Sequence, residues 1–126
     1  MSLVLRLLPG ELAILQFPRD ATLPALSFST GPLVSVTRTP DELSVVCPLS
    51  EVPVSMTCEV VWRAFVVEGK MDFSAVGILS GILDPLAKAG ISIFAISTFN
   101  TDYILVRVDV LEKARDVIRE HFSLLE

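Results

Sequence analysis

This sequence has few ways to do covalent chemistry. His121 is its only histidine, so no Ser-His, Cys-His or multi-histidine metal arrangement assembles around it. Cys47 and Cys58 lie in apolar, strand-like surroundings and lack C-x-x-C or His-rich spacing. They read as a buried reduced pair, with a disulfide or a metal site as the alternatives. Asp41 and Glu42 are adjacent, point in different directions and have no partner base. No glycine-rich phosphate loop follows a strand at the required spacing. The expectation is a protein without catalysis, metal or cofactor. What is left is recognition, and two places have the residues for it. Asp102, in the string ISTFNTDYILV (residues 96–106), can accept charge-assisted hydrogen bonds from an ammonium group. The start of the helix expected after Asp72 exposes backbone N–H groups around Val76, Gly77, Ile78 and Leu79, an anion-binding pattern. Each place also has a plain reading. Asp102 can be a turn aspartate bonded to its own backbone, Asp72 a helix cap, and Gly77 and Gly81 spacers for close helix–sheet packing.

The elements that must position these groups are legible from periodicity. Alternating and β-branched residues mark strands at about 3–8, 12–17, 33–38, 43–47, 59–68, 91–97 and 103–108. Val76, Leu79, Leu83 and Leu86 recur at helical spacing and Gly90 stops that helix. Pro85 is expected to kink it or to start a second short helix capped by Asp84. Leu111, Ala114, Val117, Ile118 and His121 form one face of a second helix, with Asp109 and Glu112 arranged like a capping box. From Glu59 the order is β-α-β-β-α, which predicts an α+β, ferredoxin-like fold lacking its last strand. A strand from the N-terminal half is available to complete that antiparallel sheet, with the helices on one face. Residues 36–46 also fall on residues 96–106 at an offset of 60, with Glu42 on Asp102, so the halves read as a degenerate duplication. The region 20–26, with Pro18 and Pro24 nearby, supports at most one helical turn.

The C-terminal half carries a longer signature, FSAVGILSGILDPLAKAGISIFAISTFNTDYILV (residues 73–106). It resembles the ACT-domain proteins of the CASTOR-like group, small tandem-ACT proteins. SVTRTPDELSVVC (35–47) and WRAFVVEG (62–69) fit the same resemblance, which covers most of the chain. It implies two ACT-like βαββα units, a degenerate one over residues 1–58 and a second over 59–126, with a free amino acid held between them. The implied ligand-binding set is Asp72, Val76, Gly77, Ile78, Leu79, Ile96, Ser97, Thr98, Phe99, Asn100, Thr101 and Asp102. In it the helix start receives the carboxylate, Asp102 the ammonium, and Phe99 and Asn100 line the side-chain end. A regulatory or sensor role follows from the resemblance, and a dimerisation or protein-interaction module with an empty pocket is the rival.

Composition bounds the partners. The net charge is −5 and the ten basic residues are scattered, which argues against nucleic acid. No apolar run approaches the roughly 18 residues of a membrane helix, and residues 3–8 are too short for a signal segment. A cytoplasmic protein without membrane or nucleic-acid partners is expected. Over half the residues are hydrophobic, more than so small a core needs, and open sheet edges predict a homodimer. Any signal would pass through an unidentified protein partner or through self-association.

Overall fold

The computed structural model describes residues 3–22, 31–69 and 77–126. The chain forms two compact units, one of residues 1–8 with 63–126 and one of residues 9–62.

The first unit is built around β1 (Val4–Leu7), β5 (Trp62–Val67), β6 (Ile93–Ser97), β7 (Asp102–Arg107) and β8 (Ser123–Leu125). Their order in the sheet is β6-β7-β5-β1-β8. β1 runs antiparallel to β5, with Leu5 opposite Val67, and β8 runs parallel to β1. Alternation sends Leu5, Leu7, Phe65, Val67, Ile104 and Val106 to one face. There they meet Ile82 and Leu86 of α1 (Ile78–Lys88) and Ala114 and Ile118 of α2 (Leu111–His121). Burying each large apolar side chain contributes roughly 1.5–3 kcal/mol, so this layer dominates the unit's stability. The fold is therefore α+β and ferredoxin-like, with an antiparallel-dominated sheet and both helices on one face. α1 ends in a Schellman motif: the Gly90 N–H donates to Ala87 O (2.9 Å) and the Ile91 N–H to Leu86 O (3.0 Å). Gly90 sits at φ +77, where a side chain would be strained.

The second unit holds β2 (Leu12–Phe17), β3 (Ser35–Arg38) and β4 (Leu43–Pro48) in the order β3-β4-β2, all antiparallel. Ala13, Leu15, Leu43, Val45 and Cys47 share its apolar face. A short 3-10 turn (Leu49–Glu51) and the irregular run after it supply Leu49, Val52, Met56 and Cys58 as cover. No helix among the described residues covers this face.

Several expectations change. Pro85 neither breaks nor restarts α1, which runs through it as one helix. The carbonyl that loses its donor there belongs to Gly81, which is exposed and open to water. Asp109 is not a helix cap: it sits in a 3-10 turn (Val108–Val110) with Arg107 at 3.7 Å, while Glu112 pairs with Arg115. His121 leaves the apolar face of α2, is exposed, and its ring Nδ1 lies 3.0 Å from Val117 O. The missing last strand exists as β8, but β1 stands between it and β5. By compactness β1 groups with residues 63–126. Cys47 is buried but Cys58 only half so, and both thiols are free. Residues 23–26 lie outside the described residues. No described helix is long and apolar enough to cross a membrane.

Candidate functional site

The β6–β7 hairpin is closed by one residue. The Thr98 N–H donates to Thr101 O (2.8 Å), and the Thr98 Oγ1 accepts from the Thr101 N–H (3.3 Å) and donates to Thr101 O (3.1 Å). Thr101 in turn anchors the hairpin: its Oγ1 donates to Val67 O at 2.8 Å. β7 thus begins where β5 ends. The next residue, Asp102, pairs with Ser97 as the first rung of the ladder.

Asp102 shares its face with Ile104 and Val106, which is the face that the helices cover. It is 7 % exposed. Its carboxylate makes no hydrogen bond or ion pair with another described residue. It is also not a turn aspartate bonded to its own backbone, since the threonines close the turn.

The start of α1 lies at the same end of the sheet. β6 begins with Ile93 opposite Val106, the far end of β7. α1 reaches that far end through Gly90, so its first turn stands over the end where Asp102 sits. Gly77 caps the helix at φ +81, and no side chain caps it. The first helical bond runs from the Gly81 N–H to Gly77 O (2.9 Å). The N–H groups of Ile78, Leu79 and Ser80 therefore have no intrahelical acceptor, and no acidic residue occupies the first turn. Anion-attracting donors and a largely buried carboxylate thus share one end of the helix–sheet layer.

The structure brings together some expected residues and separates others. Gly77, the backbone of Ile78 and Leu79, Thr101, Ser97 and Asp102 belong to this end. The side chains of Ile78 and Leu79 pack on the core. Ile96 pairs with Tyr103 on the opposite face of the hairpin, away from Asp102. Thr98 shapes the turn, and Phe99 and Asn100 are exposed at its tip, Phe99 at 74 %. Asp72 and Val76 lie outside the described residues. The packing explanation of the glycines fails. Among the described residues a Cβ at Gly81 would meet nothing within 4 Å, and one at Gly77 would meet the Ser80 hydroxyl at 3.8 Å. What Gly77 answers is the left-handed backbone of the cap. The sequence reading placed Thr101 among the ligand-binding residues; what it missed is that Thr101 ties the hairpin to β5, and the pair of threonines flanking the tip was the available signal.

Other places offer less. A depression of about 540 Å³ in the second unit is lined by Pro9, Gly10, Glu11, Leu12, Gly31, Pro32, Pro48, Leu49 and Ser50. Glu11 is its only charged group. Among the described residues no three His, Cys, Asp or Glu side chains gather to hold a metal.

A protein-family model described as an ACT domain matches residues 57–120, and a second, described as an N-terminal domain, matches residues 10–55. No curated protein matches the sequence. Among solved structures, a protein from Agobacterium tumefaciens is 36% identical, covers 99% of this chain and 93% of its own, and has a TM-score of 0.87. A Vibrio cholerae protein of unknown function, named a possible transport protein, is 20% identical over 94% of this chain and 89% of its own, with a TM-score of 0.75. Aspartate kinase from Clostridium acetobutylicum, an allosteric enzyme, is 12% identical; the match spans 91% of this chain and 34% of that one at a TM-score of 0.63. At the two lower identities the likeness is one of fold.

Proposed function

The chain belongs to the ACT-domain family, and from that premise we propose that it is a regulatory or sensor protein that binds a free amino acid or similar small ligand and catalyses nothing itself. One observation carries this reading: Asp102, buried on the helix face, has no partner among the described residues. An ammonium group would give the carboxylate the charge-assisted hydrogen bonds it lacks. The N–H groups at the start of α1 suit the ligand's own carboxylate. Negative charge on one side and donors on the other match a zwitterion. That a structural relative is an allosteric enzyme supports a regulatory use of this fold. A CASTOR-like tandem with halves at 1–58 and 59–126, a homodimer and a cytoplasmic setting belong to the same proposal and rest on the sequence.

A thermal-shift screen against the twenty amino acids tests it. A ligand at 100 times its dissociation constant adds about 2.7 kcal/mol, a clear rise in Tm. Calorimetry of Asp102→Asn, which keeps size but removes charge, should then show affinity lower by roughly tenfold to a hundredfold. Unchanged affinity would assign the ammonium elsewhere, for example to backbone carbonyls of residues 96–98. The rival reading, an interaction module without ligand, draws on Phe99 standing exposed at the hairpin tip beside the edge strand β6. It predicts a dimer in sedimentation and no amino acid that moves Tm.

A further inference from the structure

We propose that Cys47 and Cys58 form a peroxide-sensitive dithiol in which Cys58 is oxidised first and Cys47 resolves it into a disulfide. Both belong to the second unit. Cys47, on β4, is buried in the cluster of Ala13, Leu15, Leu43 and Val45, and Cys58 packs against that same cluster. Cys58 is half-buried and lines a surface depression of about 300 Å³ with Ile14, Leu15, Thr57, Glu59 and Val60. The Cys58 thiol donates to Val60 O at 3.2 Å, which orients the sulfur. Both side chains thus belong to one apolar layer. Burial first, then Glu51 and then Cys58, push the Cys47 thiol up from its ordinary value. Cys47 is therefore both shielded and held as the thiol, so it is a poor first nucleophile. Cys58, which an oxidant reaches through the depression, is the better one.

The surrounding charge selects the oxidant. Glu59 lines the depression, and the Glu51 charge also acts on Cys47, so an anionic disulfide such as oxidised glutathione is disfavoured. Hydrogen peroxide is small and neutral. In the first step the Cys58 thiolate attacks peroxide: an S–O bond forms, the O–O bond breaks, and the leaving hydroxide takes a proton to become water. In the second the Cys47 sulfur attacks the Cys58 sulfenic acid. An S–S bond forms, the S–O bond breaks, and the departing hydroxide with the Cys47 proton makes a second water. Two thiols lose two electrons and one peroxide becomes two waters. The bridge would staple the irregular run between residues 47 and 58 to β4.

Intact-mass spectrometry of the full chain, before and after hydrogen peroxide, tests this. The expected product is a monomer lighter by two hydrogens, with no thiol left to alkylate after unfolding and both restored by dithiothreitol. Cys47→Ser should stop at the sulfenic acid and take up dimedone on Cys58, whereas Cys58→Ser should keep its Cys47 thiol. Three outcomes would overturn the proposal: wild type that keeps both thiols, wild type that gains oxygen on Cys58 with Cys47 still free, or a disulfide-linked dimer on non-reducing electrophoresis. The wild-type measurement decides alone, whether or not either variant folds.

Discussion

The two hairpins of this protein share a plan and differ at one position. In the second unit Thr39 does what Thr98 does in the first: its N–H donates to Glu42 O (2.9 Å) and its Oγ1 accepts from the Glu42 N–H (3.2 Å). Arg38 then pairs with Leu43 as Ser97 pairs with Asp102. Each hairpin is also tied to the strand beside it. Glu42 accepts from Gln16 Nε2 (3.2 Å) on β2, as Thr101 donates to Val67 on β5. The structural counterpart of Asp102 is therefore Leu43, not Glu42, and the offset at the turn is one less than the sequence alignment had it. Because successive strand residues face opposite ways, that single step decides everything. Leu43 is 0 % exposed within an apolar cluster; Asp102 is a carboxylate in the matching place. One hairpin closes its layer with hydrocarbon and the other leaves charge there. This places the candidate site in the first unit.

Exchanging these residues should break the comparison in opposite directions. Leu43→Asp puts an uncompensated charge into a sealed cluster, and it should cost about 3–5 kcal/mol in urea unfolding. A loss below 1 kcal/mol would mean that the position is not sealed. Asp102→Leu should do the reverse, raising stability by about 1–3 kcal/mol while abolishing the amino-acid-dependent shift in Tm. Destabilisation by this change would show that the carboxylate holds the fold rather than a ligand.

Two smaller changes sharpen the account of α1. Gly77→Ala forces a side chain into a left-handed cap and should cost about 1–2 kcal/mol by chemical denaturation. Gly81→Ala, at an exposed helical position with open space for the Cβ, should stabilise by about 0.5–1 kcal/mol. Equal effects at the two glycines would contradict the division between backbone need at Gly77 and its absence at Gly81.

Much of this was readable without coordinates. Alternation marked β1 to β7, and Gly90 announced the end of α1; helical spacing marked Leu86, Ala114 and Ile118 as buried but missed Ile82 and wrongly added His121. These are local properties, carried by residues near one another in the chain. Asp102 stood out too, by its residue type and its place beside a turn. Other features were not local. Ser123–Leu125 reads as a tail until β1 offers it an edge. Asp109 looks like a cap, but Arg107 and the 3-10 turn claim it instead. Ile96 and Asp102 look like neighbours in one string, yet the pleat puts them on opposite faces.

The sequence by itself determined β1 to β7 and both helices, most of the helices' apolar faces, and the scarcity of groups for covalent chemistry, because propensity and periodicity act over a few residues. Only the tertiary structure decided that β1 inserts between β5 and β8, that Leu43 rather than Glu42 matches Asp102, and that Asp102 is buried without a described partner. Register and burial are set by contacts between segments far apart in the chain. A shift of one residue in such a pairing exchanges the core face for the opposite one, while local propensity scarcely changes.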